Sequence, residues 1–207
     1  MAITLYSGTP GSGKSYHAAT EIWRWLTYKD RGLICNFPLN GRILKQRQRC
    51  RFDYVDNRDL TVDFLKDYAA TYHKIGVERQ TLIVIDEAQV LFNARTFAAK
   101  DRQEWCTFFS QHRKYGFDFI LIAQYDRMLD RQIRCLLEYE VRHRKLNNYG
   151  FGGFFLSLFT GLSTWFIAIQ YWYGGNGLKL DSSMIKFSRK KADLYNSYET
   201  FQGVITT

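Results

Sequence analysis

Short apolar runs rich in β-branched residues alternate along the chain with stretches in which apolar residues return every three or four positions. Residues 2–6 (AITLY), 33–37 (LICNF), 81–85 (TLIVI) and 117–123 (FDFILIA) have the length and composition of strands. Their nearly continuous apolar character predicts parallel strands covered on both faces. Residues 14–19 open a helix that Gly32 closes, and Pro38 stops the second strand. Residues 59–75 set Leu60, Phe64, Leu65, Tyr68 and Tyr72 at core spacing on a helix, and residues 101–115 do the same for Trp105, Phe108 and Phe109, with Gly116 as cap. Residues 135–145 (CLLEYEVRHRK) alternate like a strand with one solvated face, and 165–173 are aromatic and β-branched. The order is βαβ, a helical insertion, two further βα units and a β-rich tail. It predicts an α/β fold, a mostly parallel sheet flanked by helices over residues 1–134, with a small β-rich appendage over 135–207 docked on it.

The first strand leads directly into Gly8-Thr9-Pro10-Gly11-Ser12-Gly13-Lys14-Ser15, a full match to G-x-x-x-x-G-K-[ST] in the strand–loop–helix setting that the motif requires. Such a loop folds around phosphates and turns backbone N–H groups and a helix N-terminus toward their charge. ATP is the expected ligand. Lys14 would reach the β and γ phosphates, and the Ser15 hydroxyl would hold Mg2+. The run 81–85 ends in Asp86 and Glu87, two carboxylates at the sheet edge where α/β proteins bind ligands. Asp86 is the second expected magnesium ligand, and Glu87 is placed to orient and deprotonate the attacking water. The run 117–123 ends in Gln124, which either senses the γ phosphate or only closes its strand.

Composition adds constraints. Of 207 residues, 46% are hydrophobic and 17% aromatic, enough for a sizeable core and against disorder. Lys and Arg number 29 against 20 acidic residues, a net charge of +9 that suits a polyanion or an anionic membrane surface, or serves solubility alone. Residues 41–51 (GRILKQRQRCR) are the strongest basic run. With Phe52 or Tyr54 available to stack bases, it either tracks a nucleic-acid backbone or is a solvated loop. Cys35, Cys50, Cys106 and Cys135 are scattered without a C-x-x-C pair, so no zinc site is expected and a reducing, cytoplasmic-side setting is. The amino terminus has no basic leader, and cleavage there would destroy the loop, so no signal peptide is expected. Residues 146–178 carry no charge. Within them 154–169 (FFLSLFTGLSTWFIAI) is interrupted by Ser and Thr and runs into strand-like sequence, which favours a packed hairpin over a membrane segment.

Taken with Ile85-Asp86-Glu87-Ala88-Gln89, Arg95, the segment 110–118 (SQHRKYGFD) leading to Ala123-Gln124, Tyr171-Trp172-Tyr173 and Leu194-Tyr195-Asn196-Ser197-Tyr198, the phosphate loop makes the chain resemble the zonular occludens toxin family over most of its length. Its members include the assembly and secretion ATPases of filamentous phages. The resemblance implies an additional-strand P-loop NTPase of the RecA/FtsK-like kind, on the cytoplasmic face of the host inner membrane, that drives extrusion of single-stranded phage DNA as coat protein is added. It also implies a ring homo-oligomer working with phage coat and assembly proteins. In a ring an arginine of one subunit can stabilise the transition state in the next. Arg95 is favoured for that role among Arg113, Arg127, Arg131 and Arg134. Family members usually continue into a transmembrane helix and an outer domain, and the toxin activity belongs to that distal part. It is not expected of these 207 residues.

Two rival readings share the loop. The run Asp86-Glu87-Ala88-Gln89 also resembles the acidic motif of thymidine kinases, although the cysteine-paired zinc site usual there has no counterpart. A non-catalytic scaffold that binds ATP to set its oligomeric state is the other.

Overall fold

The apolar runs pair into one eight-stranded sheet. The computed structural model describes residues 2–95, 99–146, 164–175 and 177–195. In chain order the strands are β1 (Ile3–Ser7), β2 (Gly32–Cys35), β3 (Arg51–Tyr54), β4 (Thr81–Ile85), β5 (Phe117–Ile122), β6 (Tyr139–Lys145), β7 (Trp165–Trp172) and β8 (Leu178–Lys186). Across the sheet they run β3-β2-β4-β5-β1-β6-β7-β8. Every pairing from β3 to β6 is parallel, and the last two are antiparallel. Among the described residues the α-helices are α1 (Lys14–Trp25), α2 (Gly41–Arg47), α3 (Val62–Tyr72), α4 (Ala99–Tyr115), α5 (Arg131–Cys135) and α6 (Arg189–Ala192).

Strands β2, β4 and β5 are buried at every residue, because each face carries a core of its own. Alternate side chains divide between the two faces. Leu5, Ile83, Phe119 and Leu121 pack with α3 and α4, whose Trp105, Phe108 and Phe109 join Phe92 in a buried aromatic cluster. Tyr6, Leu82, Ile120 and Ile122 pack instead with Ala18, Ile22 and Trp25 of α1. The rings of Phe92 and Trp105 meet edge to face at 5.0 Å, as do those of Phe109 and Phe119.

Several local readings change. The helix expected over 59–75 spans only Val62–Tyr72, because the Thr61 hydroxyl accepts from the Phe64 amide and caps it. Leu60 is buried just ahead of the helix, whereas Tyr72 is 48% exposed and lies beneath the Arg51 guanidinium instead of in the core. The basic run is helical over Gly41–Arg47, with Asn40 accepting from the Arg42 amide as cap. Within it Arg47 lies over the Trp23 ring at 4.3 Å and donates to the Trp23 carbonyl, so this arginine packs on the domain. Phe52 packs against the core, while Tyr54 is exposed.

The C-terminal strands extend the same sheet. Strand β6 pairs in parallel with β1, so the sheet runs continuously across residue 134, where the appendage was expected to begin. Its solvated positions are Arg142 and Arg144, but Glu140 is buried on the same side as Arg142 because it accepts from the Ser7 hydroxyl and from Arg142. In the segment read as a hairpin, residues 165–172 form β7, and residues 147–163 lie outside the described ones. Among the described residues no helix is long and apolar enough to cross a membrane.

Candidate active site

Strand order β4-β5-β1 sets the strand that carries Gln124 between the strand that feeds the glycine loop and the strand that ends in the acidic pair. All three are parallel, so their carboxyl ends open on one edge. The loop is anchored there by the Gly8 amide, which donates to the Gln124 carbonyl at 3.1 Å, and is closed by a bond from the Ser12 amide to the Thr9 carbonyl. Two glycines are required by their surroundings. Gly13 has φ of +98°, and a Cβ there would stand 2.5 Å from the Phe166 ring. At Gly8, with φ of +144°, a Cβ would meet the His143 carbonyl oxygen at 2.6 Å. Both neighbours come from β6 and β7, so the C-terminal strands form the outer wall of the loop.

Lys14 and Ser15 begin α1. The Lys14 ammonium lies along the loop and donates to the carbonyls of Gly8 at 2.6 Å and Thr9 at 3.2 Å. Burial lowers its pKa, and the nearby carboxylates of Asp86 and Glu87 oppose that lowering, which brings the three groups into one electrostatic cluster. Asp86 is tightly held. Its amide donates to Asn36 Oδ1 at 2.7 Å, and Asn36 Nδ2 returns bonds to the Asp86 carbonyl at 2.8 Å and to Asn57 at 2.9 Å. The Asp86 carboxylate accepts from the Glu87 amide at 2.8 Å and from the Tyr195 hydroxyl at 2.6 Å. Burial first, and then the Asp86 charge, push the Tyr195 phenol far up, so it stays protonated and donates. Glu87 is exposed in a left-handed conformation, φ +49°, that costs a non-glycine residue energy and marks functional turns. Gln89 Nε2 donates to its carboxylate.

A cavity of about 510 Å3 opens beside the loop, lined by Gly8, Thr9, Gln124, Asp126, Glu140 and Arg142, among others. The half-buried Gln124 lines this cavity with the loop residues Gly8 and Thr9. Arg95 is exposed, is held through its amide by Asn93 at 2.8 Å, and does not line that cavity. Beneath the loop lies a pair of imidazoles, His143 buried and His17 half-buried. His143 Nδ1 faces the Ser7 carbonyl at 3.2 Å and His143 Nε2 faces His17 Nδ1 at 2.8 Å. A carbonyl only accepts, so His143 carries its proton on Nδ1 and His17 donates to it. No role at the site was expected of Asn36, His143, Phe166 or Tyr195: His143 and Tyr195 lie in segments that carry the family resemblance, but nothing in the neighbourhood of any of the four marks it as a site residue.

The loop and the end of β4 offer hard oxygen donors, the Ser15 hydroxyl and the Asp86 carboxylate, together with a lysine and a loop in which Gly8 and Gly13 leave no room for a Cβ. This donor set fits a magnesium-bound triphosphate and not a softer metal.

The profile of the family described as Zonular occludens toxin (Zot) matches residues 2–200. The Gene 1 protein of Enterobacteria phage I2-2 is 29% identical over 216 residues, which cover 98% of this chain and 57% of that protein. The chain thus spans little more than half of that relative. Among solved structures, the N-terminal domain of zonular occludens toxin from Neisseria meningitidis superposes with a TM-score of 0.59 at 20% identity, covering 94% of this chain and 98% of that one. The genome packaging NTPase B204 from Sulfolobus turreted icosahedral virus 2, solved in complex with AMPPCP, does so with 0.51 at 15% identity, covering 88% and 96%. These likenesses fix the fold as that of P-loop NTPases.

Proposed function

The chain belongs to the Zonular occludens toxin (Zot) family, and we propose that it is a magnesium-dependent ATPase that powers filamentous phage assembly. The observation that carries this reading is the convergence of Lys14, Asp86 and Glu87 at one sheet edge, where both carboxylates act on the lysine. Gly8, Thr9, Pro10, Gly11, Ser12 and Gly13 wrap the phosphates, and Lys14 turns from the loop carbonyls toward the β and γ phosphates. Ser15 and Asp86 hold the metal. Magnesium, when bound, offsets charge on the phosphate oxygens. Glu87, exposed on its left-handed turn, takes the proton of the attacking water, and Gln124 at the end of the intervening strand reports the state of the γ phosphate to the loop through the Gly8 amide. The work done with ATP is the extrusion of single-stranded phage DNA and its coat at the cytoplasmic face of the host inner membrane, by a ring of subunits. Arg95, on the exposed segment after the acidic pair, is the arginine offered to a neighbouring subunit. The relationship to a phage Gene 1 protein and the shared fold of a genome packaging NTPase both support this reading.

Steady-state ATP hydrolysis tests it, with and without single-stranded DNA, alongside the mass in solution. Glu87→Gln should bind ATP normally and lose turnover by about 10²-fold or more. Wild-type rates in that variant would remove Glu87 from the mechanism. DNA-stimulated turnover by an oligomer is expected of the motor.

A further inference from the structure

The segment that follows β8 clasps the nucleotide site from two directions. At its start, Tyr16, two residues beyond Lys14 on α1, donates its hydroxyl to the Lys186 carbonyl and accepts from the Ser188 amide, both at 2.8 Å. Helix α6 then lies against α1. Leu194 is fully buried in the core under α1, and its carbonyl accepts from the Asn40 amide at 3.0 Å. The next residue, Tyr195, packs its ring at a tilt on Phe37 with centroids 4.0 Å apart and donates to Asp86 Oδ2 at 2.6 Å. One strap thus ties the helix that follows the phosphate loop to the carboxylate at the end of β4.

A carboxylate with both oxygens engaged by fixed donors cannot swing, and a tyrosine hydroxyl 109 positions away in sequence has no local reason to end there. Resting on the ATPase reading above, we infer that Tyr195 is a positioning residue that sets the Asp86 carboxylate for its metal, so that binding of the metal–nucleotide complex and docking of residues 186–195 stabilise each other. The linkage is reciprocal. If the docked strap raises affinity for magnesium at the nucleotide, then magnesium at the nucleotide must hold the strap down by the same factor. The hydroxyl keeps one lone pair of Oδ2 busy and leaves the other for a metal-bound water or the metal itself.

Binding of a fluorescent ATP analogue, titrated with magnesium, separates this from a packing role. Tyr195→Phe keeps the ring on Phe37 and removes only the hydroxyl. It should raise the magnesium concentration for half-saturation by about fivefold or more, the lower end of the coupling expected between linked sites. Metal-free affinity for the analogue should stay as in the wild type, and the drop in melting temperature should be larger with magnesium and nucleotide bound than without them. Hydrogen exchange gives a second readout on the unmodified chain: the amides of Leu194 and Tyr195 should gain protection when magnesium is added to the nucleotide-bound protein. An unchanged half-saturation, a lowered one, or equal losses with and without metal would overturn the assignment, as would strap amides indifferent to magnesium. Asp86→Asn tells the two levels apart. If it weakens magnesium binding and Tyr195→Phe does not, only the role of Tyr195 falls. If neither variant does, or if the wild type fails to bind the analogue, the ATPase reading falls with it.

Discussion

Acidification should weaken this fold through the imidazole pair under the phosphate loop. Burial, then the Arg24 charge, depress His17 to about 4. Burial, then His17 itself, with Lys14 adding to the effect, depress His143 to about 3. A free imidazole titrates near 6.5, so both folded values lie below the unfolded one. Above about pH 6.5 the two states bind the same number of protons and the pair costs nothing. Below it the unfolded chain takes up protons that the folded pair refuses, and stability falls with a slope of about 1.4 kcal/mol per pH unit for each ring, until the folded pair itself titrates near 3 to 4. From about pH 7.5 to about pH 5.5 the loss is therefore roughly 1.4 kcal/mol per histidine and roughly 3 kcal/mol for the pair. Burial also lowers His73 and His112, and these add a contribution of the same sign. Urea unfolding across this range, on the wild type and on His17→Gln and His143→Gln, isolates the pair. Each substitution should remove about half of the roughly 3 kcal/mol difference. Curves parallel to the wild type would show that the rings take up protons in the folded state as readily as in the unfolded one, with the bond between His17 and His143 lost. The first proton should enter at His17 Nε2, which lies 4.0 Å from a Glu21 carboxylate oxygen.

Two further outcomes follow from the geometry. Gly13→Ala combines a positive φ with a Cβ set against the Phe166 ring. It should cost about 2–3 kcal/mol of stability and displace the loop, read as a lowered melting temperature with weakened nucleotide binding. A variant that melts like the wild type would place Phe166 elsewhere. In the basic run, Lys45→Glu on α2 with Arg49→Glu just beyond it reverses two exposed charges while leaving Arg47 on Trp23. If the helix tracks single-stranded DNA, the salt dependence of binding should flatten by a log–log slope of about 1.4 with no change in melting temperature. An unchanged slope would make the run a solvated face.

The parts of this site that sequence revealed are those whose chemistry is local. Gly8 to Ser15 are contiguous, the apolar run before Asp86 and Glu87 can only be a buried strand, and the spacing of Trp105, Phe108 and Phe109 fixes one helical face. The parts it concealed depend on which strand lies beside which. Ser7 and Glu140 are 133 positions apart and meet because β6 adds in parallel to β1. Nothing in Arg142-His143-Arg144-Lys145 announces that, since a basic alternating strand has the look of a sheet edge. The charges are tolerated because Arg142 bonds Glu140 and lies over the Tyr171 ring at 4.6 Å, which leaves His143 free to pack inward.

This adjacency changes what the phosphate loop is. With His143 and Phe166 pressed on Gly8 and Gly13, the loop takes its shape from the second half of the chain as much as from its own glycines. A cut at residue 134 would strip β1 of one of its two hydrogen-bonded neighbours and remove the wall behind the loop, together with the strap that reaches Asp86. The glycine motif specifies that phosphates can be approached, but the orientation of the acidic pair and the outer side of the loop are set by residues after 134. Any force on those strands or on the strap therefore reaches the nucleotide site through three contacts: β6 to β1, Phe166 of β7 to Gly13, and Tyr195 to Asp86. On the proposed ATPase reading, these contacts are the route by which events at the nucleotide and at the C-terminal strands are linked.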